Sequence, residues 1–295
     1  MRFHERAPFV PIPDRPPLAW PNGARLAVWV VPNIEHFEDD SLAGATIATP
    51  AVEPPDVPNY AWRDYGLRVG IWRTMRTLDR LRIRGTVALN GRVCQMYPTV
   101  VEACRARGWE FMGHGWTNSR SLSGLDQVEE RARIAETLQT IEQATGTRPI
   151  GWLGPALAET ASTLDVLAEH GVQYVGDWVN DEQPYPLRTS GGTLIAMPYS
   201  IEINDIGTFL RRGFSGPDYE RMLLDQFEVL HAEGSRVMCI ALHPFITGVP
   251  FRAKYLDRAL EAIRQHNDVW FATGSEILAA YLDAVAGRVE HAEVV

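Results

Sequence analysis

Apolar runs of strand length recur along the chain, and stretches with helical spacing lie between most of them. RLAVWVVPN (25–33) is the first, a continuous apolar segment ending in polar residues, as expected of a strand buried on both faces. Similar runs follow at 84–91, 109–115, 150–155, 172–178, 194–200, 236–244 and 269–274. The spacing predicts helices over 68–81, 98–108 and 123–146, and in ETASTLDVLAEHG, PDYERMLLDQFEVLHAEG and RAKYLDRALEAIRQH. Two of these carry their own punctuation, Pro98 with Gly108 and Ser123 with Gly146. Residues 1–23 are proline-broken and aperiodic and read as an extended arm. Residues 39–61 read as a long irregular loop, of a length that usually has a job. No break marks a second domain, so the chain divides into the arm, 1–23, and one domain, 24–287.

Strands alternating with helices define an α/β protein with a parallel sheet covered by helices. A closed or nearly closed TIM-like (β/α) barrel is the expected architecture. A doubly wound open sheet is the alternative, and its nucleotide-binding version lacks a GxGxxG after an early strand. Barrel active sites gather at the C-terminal ends of strands. Those ends carry, in order, Asn33 and Glu35, Asn90, His114 with Asn118, Trp152 with Pro155, Asp177 and Asp181, Tyr199 with Glu202, and His243. A purely structural barrel needs only turn formers there. Ionisable groups directly after long apolar runs therefore predict that the series lines one pocket. His114 stands between Gly113 and Gly115, which remove side chains around it and allow close approach. His243 holds the matching position on another strand. Asp177 and Asp181 are placed to orient an imidazole or raise its pKa.

Composition narrows the function classes. A net charge of -9 argues against a nucleic-acid binder, which needs concentrated basic surface. The three cysteines are widely spaced and suit buried thiols in a reducing compartment better than a disulfide framework. No apolar run approaches membrane-spanning length, and the charged, proline-rich N-terminus has no apolar signal core, so a cytoplasmic location is expected.

The sequence has no G-x-S-x-G elbow, P-loop or flavin or nicotinamide fingerprint. A carboxylate and two histidines without a nucleophile point to activation of water: a general base takes its proton and a general acid protonates the departing group. A metal could assist by polarising a carbonyl or acidifying the water. The spacing offers Asn118 where a second histidine would complete a zinc pair, and a neutral amide is a poor zinc ligand. The cofactor expectation is thus none or one divalent metal, zinc if present, held by Glu35, His114 and Asn118.

Taken together and in order, NIEHF, RDYGLRVGIWR, GHGWTNS, GWLGPALAET, GDWVNDEQPY, PYSIEINDIG and LHPFITGVPFR resemble the polysaccharide deacetylase (NodB homology) superfamily, and within it the metal-independent allantoinases and cyclic imide hydrolases. The resemblance runs over about residues 20–285. It implies a distorted TIM-like (β/α) barrel of seven to eight strands and hydrolysis of a carbon–nitrogen amide bond. It also places Glu35 at the acidic motif, His114 at the first metal-ligating histidine and His243 at the last-motif catalytic histidine. The sequence departs from the sugar-deacetylase pattern in having no Asp-Asp pair at NIEH, in Asn118, and in having Trp152 and Leu153 where an arginine is expected. These departures favour a small, flat substrate such as a cyclic ureide or imide. The expected roles are water activation by Glu35 and His114, and leaving-group protonation or oxyanion stabilisation by His243. Asp177 or Asp181 would tune a histidine or bind ring N–H groups. Arg63, Arg68, Asn118 and Tyr199 would contact the substrate, with Trp152 as a pocket wall. The alternatives are a deacetylase of N-acetylated sugar and a non-catalytic metabolite-binding barrel. The expected partner is a small molecule, with no nucleic acid or membrane, and the arm together with the resemblance leads to the expectation of a homo-oligomer.

Overall fold

The computed structural model describes residues 2–42 and 44–292. Nine strands form one sheet: β1 (Leu26–Ile34), β2 (Thr86–Leu89), β3 (Glu110–Gly113), β4 (Gly151–Trp152), β5 (Tyr174–Val175), β6 (Tyr185–Thr189), β7 (Gly192–Ala196), β8 (Arg236–Leu242) and β9 (Val269–Phe271). Their order is β6-β7-β5-β4-β3-β2-β1-β8, with β9 also paired to β1. Every pairing is parallel except β6 with β7. The helices are α1 (Phe3–Arg6), α2 (Val57–Tyr65), α3 (Ile71–Leu81), α4 (Gly91–Met96), α5 (Pro98–Ala106), α6 (Gln127–Thr145), α7 (Thr163–Glu169), α8 (Gly216–Glu233), α9 (Pro250–Arg264) and α10 (Gly274–Ala292).

This is the distorted α/β barrel expected from the sequence, and all eight anticipated strands are present. The ninth, β6, escapes the pattern because Pro184 and Pro186 interrupt it; it forms a hairpin with β7 at the sheet edge, where proline is tolerated. Among the described residues no ladder joins β6 to β8. Loop residues bridge that seam: Val237 N–H donates to the Glu182 carbonyl at 2.9 Å, and Gln183 Nε2 donates to the Ser235 carbonyl at 2.9 Å.

Strand periodicity decides what points inward. On β1, Leu26, Val28 and Val30 pack outward in one apolar cluster, while Ala27, Trp29 and Val31 pack inward in another. Trp29 lies opposite Cys239 and Val31 opposite Ala241 on β8, and both partners also belong to the inner cluster. The interior is a packed core, with Trp29, Tyr174, Met197 and Tyr199 filling it. Continuing the alternation past the apolar residues leads to Asn33 near the end of β1 and Glu35 just beyond it, His114 after Met112, and His243 after Ala241.

Helix boundaries differ from expectation in two places. The predicted loop 39–61 ends early, because α2 begins at Val57 and continues through a wide π-type turn, Gly66–Gly70, into α3; Ala43 lies outside the described residues. Pro58 fits the first helical turn, which needs no partner for its nitrogen. Gly66 and Gly70 look like breakers but let this helical run lie against the segment after β8: a Cβ on Gly70 would stand 2.0 Å from the Pro244 carbonyl oxygen. The second difference is α6, capped by Asp126 rather than Ser123. The Asp126 side chain accepts from the N–H groups of Val128 at 2.8 Å and Glu129 at 2.9 Å.

The arm folds back onto its own barrel. Arg6 pairs with Asp165 at 2.6 Å, Arg15 with Asp181 at 2.6 Å, and Trp20 Nε1 donates to the Arg236 carbonyl at 3.1 Å.

The glycines around His114 have separate reasons. Gly115 adopts φ +65°, and a Cβ there would also stand 2.7 Å from the Pro155 ring. A Cβ on Gly113 would stand 2.6 Å from the Trp152 ring. Gly113→Ala is therefore expected to cost about 1–3 kcal/mol by overpacking. Urea unfolding monitored by fluorescence tests this, and an unchanged midpoint would refute it.

Candidate active site

Three strand ends converge. Glu35 follows β1, His114 follows β3 and His243 follows β8, and they are only 7%, 3% and 4% exposed. Glu35 Oε1 lies 3.2 Å from His114 Nε2 and 3.5 Å from His243 Nε2, and it accepts a hydrogen bond from Asn118 Nδ2. One carboxylate oxygen thus lies against two imidazoles while accepting from an amide. Glu35 Oε2 is buried without a hydrogen-bond partner.

The far nitrogen of each ring is fixed differently. His114 Nδ1 donates to the Leu153 carbonyl at 2.6 Å. His243 Nδ1 donates to Asp205 Oδ1 at 2.6 Å, and Asp205 Oδ2 accepts from the His243 N–H at 2.7 Å and the Thr247 hydroxyl at 3.0 Å. Asp205 is completely buried. It is absent from the sequence-based candidates, although it lies within PYSIEINDIG. The signal was an acid some residues beyond a strand end rather than at it. Asn90 is the other organiser: its Nδ2 donates to the His114 carbonyl and, at 3.0 Å, to Asn118 Oδ1, and its Oδ1 accepts from the His36 N–H at 2.8 Å.

Charge follows from these contacts. Burial alone would push the Glu35 carboxyl up, but His243 and His114 outweigh it and hold it at about 2. Burial would push His243 down, but the carboxylates of Asp205 and Glu35 raise it to about 10. At neutral pH the site therefore holds an ionised Glu35 beside a protonated His243.

Of the remaining candidates, Arg63 reaches the site's edge. It lines a small cavity with Glu35, Tyr60 and Tyr97, lies over the Phe37 ring at 4.6 Å, and donates to the Ala45 carbonyl at 2.7 Å, while its buried Nε has no partner. Tyr199 is buried, its hydroxyl accepting from Asn33 at 3.4 Å and Asn204 at 3.2 Å. The structure draws the others away. Arg68 is exposed and pairs with Asp64. Trp152 is not a pocket wall, because alternation turns its ring outward among Leu138 and Leu164; Leu153 takes the inward position. Asp181 pairs with Arg15 beside a separate cavity of ≈ 1010 Å³ under the arm. Asp177 is buried and accepts from the Gly154 N–H at 2.7 Å rather than touching either histidine.

The donor set does not fit a tightly held metal. Glu35 and His114 converge, but Asn118 turns Nδ2, which cannot ligate, toward Glu35, and its Oδ1 is taken by Asn90. Two protein donors fall short of the three that catalytic zinc sites use. Among the described residues, a His/Asp group with ligand atoms within 4.8 Å of one another is His231, His266 and Asp268, at the opposite end of the barrel near the start of β1, where Arg25 N–H donates to the Asp268 carbonyl.

A carboxylate and two oppositely anchored histidines at the strand ends of a barrel form an arrangement able to activate water. Residues 62–175 match the family model for polysaccharide deacetylase. A Schizosaccharomyces pombe protein assigned as a polysaccharide deacetylase is 29% identical over 89% of this chain and 92% of its own length. Among solved structures, PuuE allantoinase superposes with a TM-score of 0.83 at 28% identity, covering 90% of this chain and 94% of that one. A Pseudomonas aeruginosa PAO1 protein assigned as a polysaccharide deacetylase superposes with a TM-score of 0.84 at 28% identity, covering 91% and 94%. Over most of its length the chain is similar to proteins of the polysaccharide deacetylase family, and these likenesses support a hydrolase acting on carbon–nitrogen amide bonds.

Proposed function

We propose that this hydrolase opens a small cyclic amide, a ureide or imide, without a resident metal. The observation that carries the reading is the shared Glu35 oxygen between two imidazoles, in a site with little open space. The cavity beside Glu35 measures ≈ 10 Å³, about the room for one water, and Tyr60, Arg63 and Tyr97 wall it. An open groove with aromatic subsites would favour a sugar-chain deacetylase. A compact, covered site favours a small ring, with Arg63 available to a carbonyl or carboxylate on it.

The chemistry balances on this chain's own residues. His114 donates Nδ1–H to Leu153 and so presents Nε2 to a water. As the water oxygen bonds to the amide carbon, its proton passes to Nε2, and the resulting imidazolium faces the Glu35 carboxylate. The carbonyl oxygen becomes an oxyanion against protonated His243, which then gives its Nε2 proton to the departing nitrogen as the C–N bond breaks. Glu35 Oε1, in contact with both rings, offers a path for the proton from His114 back to His243. Deacetylation of an N-acetylated sugar uses the same steps and differs only in substrate.

A product-resolved assay over cyclic ureides, cyclic imides and small N-acetylated amines tests the reading. Ring opening that survives a chelator is the expected outcome. Deacetylation without ring opening overturns the substrate, and zinc-restored activity after chelation overturns the metal-free chemistry. Silence across the panel would favour the binding-barrel alternative. A cytoplasmic homo-oligomer belongs to the same proposal: Phe9 on the arm is 90% exposed, as an intersubunit contact would require, and sedimentation velocity tests it.

A further inference from the structure

We propose that Asp177 is a positioning residue for His114 and that it acts through one peptide group, the Leu153–Gly154 unit. The N–H of that unit, on Gly154, donates to Asp177 Oδ1 at 2.7 Å. The C=O of the same unit, on Leu153, accepts Nδ1–H of His114 at 2.6 Å. A carboxyl group is therefore joined to an imidazole with the conjugated N–C=O of a single amide between them.

An amide whose N–H is hydrogen-bonded shifts electron density toward its carbonyl oxygen, and hydrogen bonds in such a chain strengthen one another. The Leu153 carbonyl is thereby a better acceptor for Nδ1–H. It holds the ring in the tautomer that leaves Nε2 toward Glu35 and the water. Asp177 does for His114, at one remove, what Asp205 does directly for His243.

The surroundings are built for this contact. His114, Leu153 and Asp177 are 3%, 1% and 9% exposed, so no bulk water competes for the peptide unit. Gly154 has no room for a side chain: a Cβ there would stand 2.8 Å from the Ala158 carbonyl oxygen and 3.3 Å from Asp177 Oδ2. Asp177 lies beside Glu159, whose carboxylate accepts from the Trp178 indole N–H at 3.2 Å. Burial, with the charge of Glu159, raises the Asp177 pKa well above the usual carboxylate range, and burial raises Glu159 as well.

The test compares wild type with Asp177→Asn and Asp177→Ala in histidine-labelled protein, with the His114 ring signals assigned by their loss in His114→Gln. The expected spectrum of the wild type shows His114 protonated at Nδ1. Asp177→Asn keeps an acceptor for Gly154 and should preserve that tautomer, while the Nδ1–H proton moves upfield and the His243 signals stay in place. Asp177→Ala should give mixed tautomers. In the kinetic arm, which alone rests on the hydrolase reading, alanine should lower kcat by about 10–100-fold with KM little changed, and asparagine should recover most of it. An unmoved His114 Nδ1–H signal in Asp177→Asn overturns the proposal. So does a change in KM with kcat intact, which would make Asp177 a substrate contact. If alanine prevents folding, the asparagine spectrum decides alone. Because the spectra need no substrate, a silent substrate panel leaves this result standing and counts only against the proposed function.

Discussion

Replacement of His243 by alanine is expected to lower kcat by about 10²–10⁴-fold, the range a positioned general acid contributes. The effect should be on turnover, because Nε2 acts on charge that develops only as the C–N bond breaks. Alanine also strips Asp205 of its imidazole partner in a fully buried position, so His243→Gln should be measured beside it with a near-UV spectrum to report folding. The pH dependence makes the assignment specific. His243 must carry its proton to act, and its pKa is raised to about 10, so its contribution to kcat is present below that value and lost above it. Asp205→Asn removes the strongest of the charges that raise it, and the basic limb of the kcat profile should move from near pH 10 toward the ordinary histidine value of 6.5. A basic limb that stays in place in Asp205→Asn would mean that another group supplies the proton.

How much of this was legible in the sequence follows from the period of two in strands. Apolar runs long enough to cross the sheet end at Glu35, His114 and His243, and the alternation that buries Trp29, Met112 and Ala241 carries those three to the inner face at the same end. Strand ends were therefore readable, and so was their convergence. Trp152 was misplaced because it was chosen as a strand-end residue standing where an arginine is expected, and β4 is only two residues long, so its sequence offers no alternation to show that the ring turns outward. Asp205 was missed because it reaches the site from the start of the short helical turn Ile206–Arg211 rather than from a strand end, through a hydrogen bond to the backbone of the residue it also serves. Arg68 and Asp181 were chosen for charge and nearness to motifs. Both form ion pairs outside the site: Arg68 pairs with Asp64 at the i,i+4 spacing of one helical run, which the sequence offers, whereas no pattern along the chain joins Asp181 to Arg15.

Glu35→Gln should be the most damaging isosteric change in the molecule. The glutamine carbonyl can still accept from Asn118, so the shape of the site survives, but protonated His243 loses a buried countercharge 3.5 Å away. Removing one partner of a buried pair costs about 3–5 kcal/mol, because the other is left uncompensated. The pH dependence of that loss has a definite sign. His243 is raised, so its charge stabilises the fold fully below its ordinary 6.5, and this contribution disappears as pH rises through about 10. Glu35 is lowered, so its contribution is present above its ordinary 4.5 and disappears as pH falls through about 2. The stability gap between wild type and Glu35→Gln should therefore be wide from about pH 5 to 9 and should narrow above about 10, where His243 is neutral in both proteins. Chemical denaturation at a series of pH values measures it. Turnover should fall by at least about 10²-fold as well, since the imidazolium formed at His114 loses its carboxylate and the proton loses its path to His243. A variant with an unchanged stability gap across pH 10 would show that Glu35 and His243 do not hold each other's charge. One that kept full turnover would remove Glu35 from the proton path while leaving His243 as the acid.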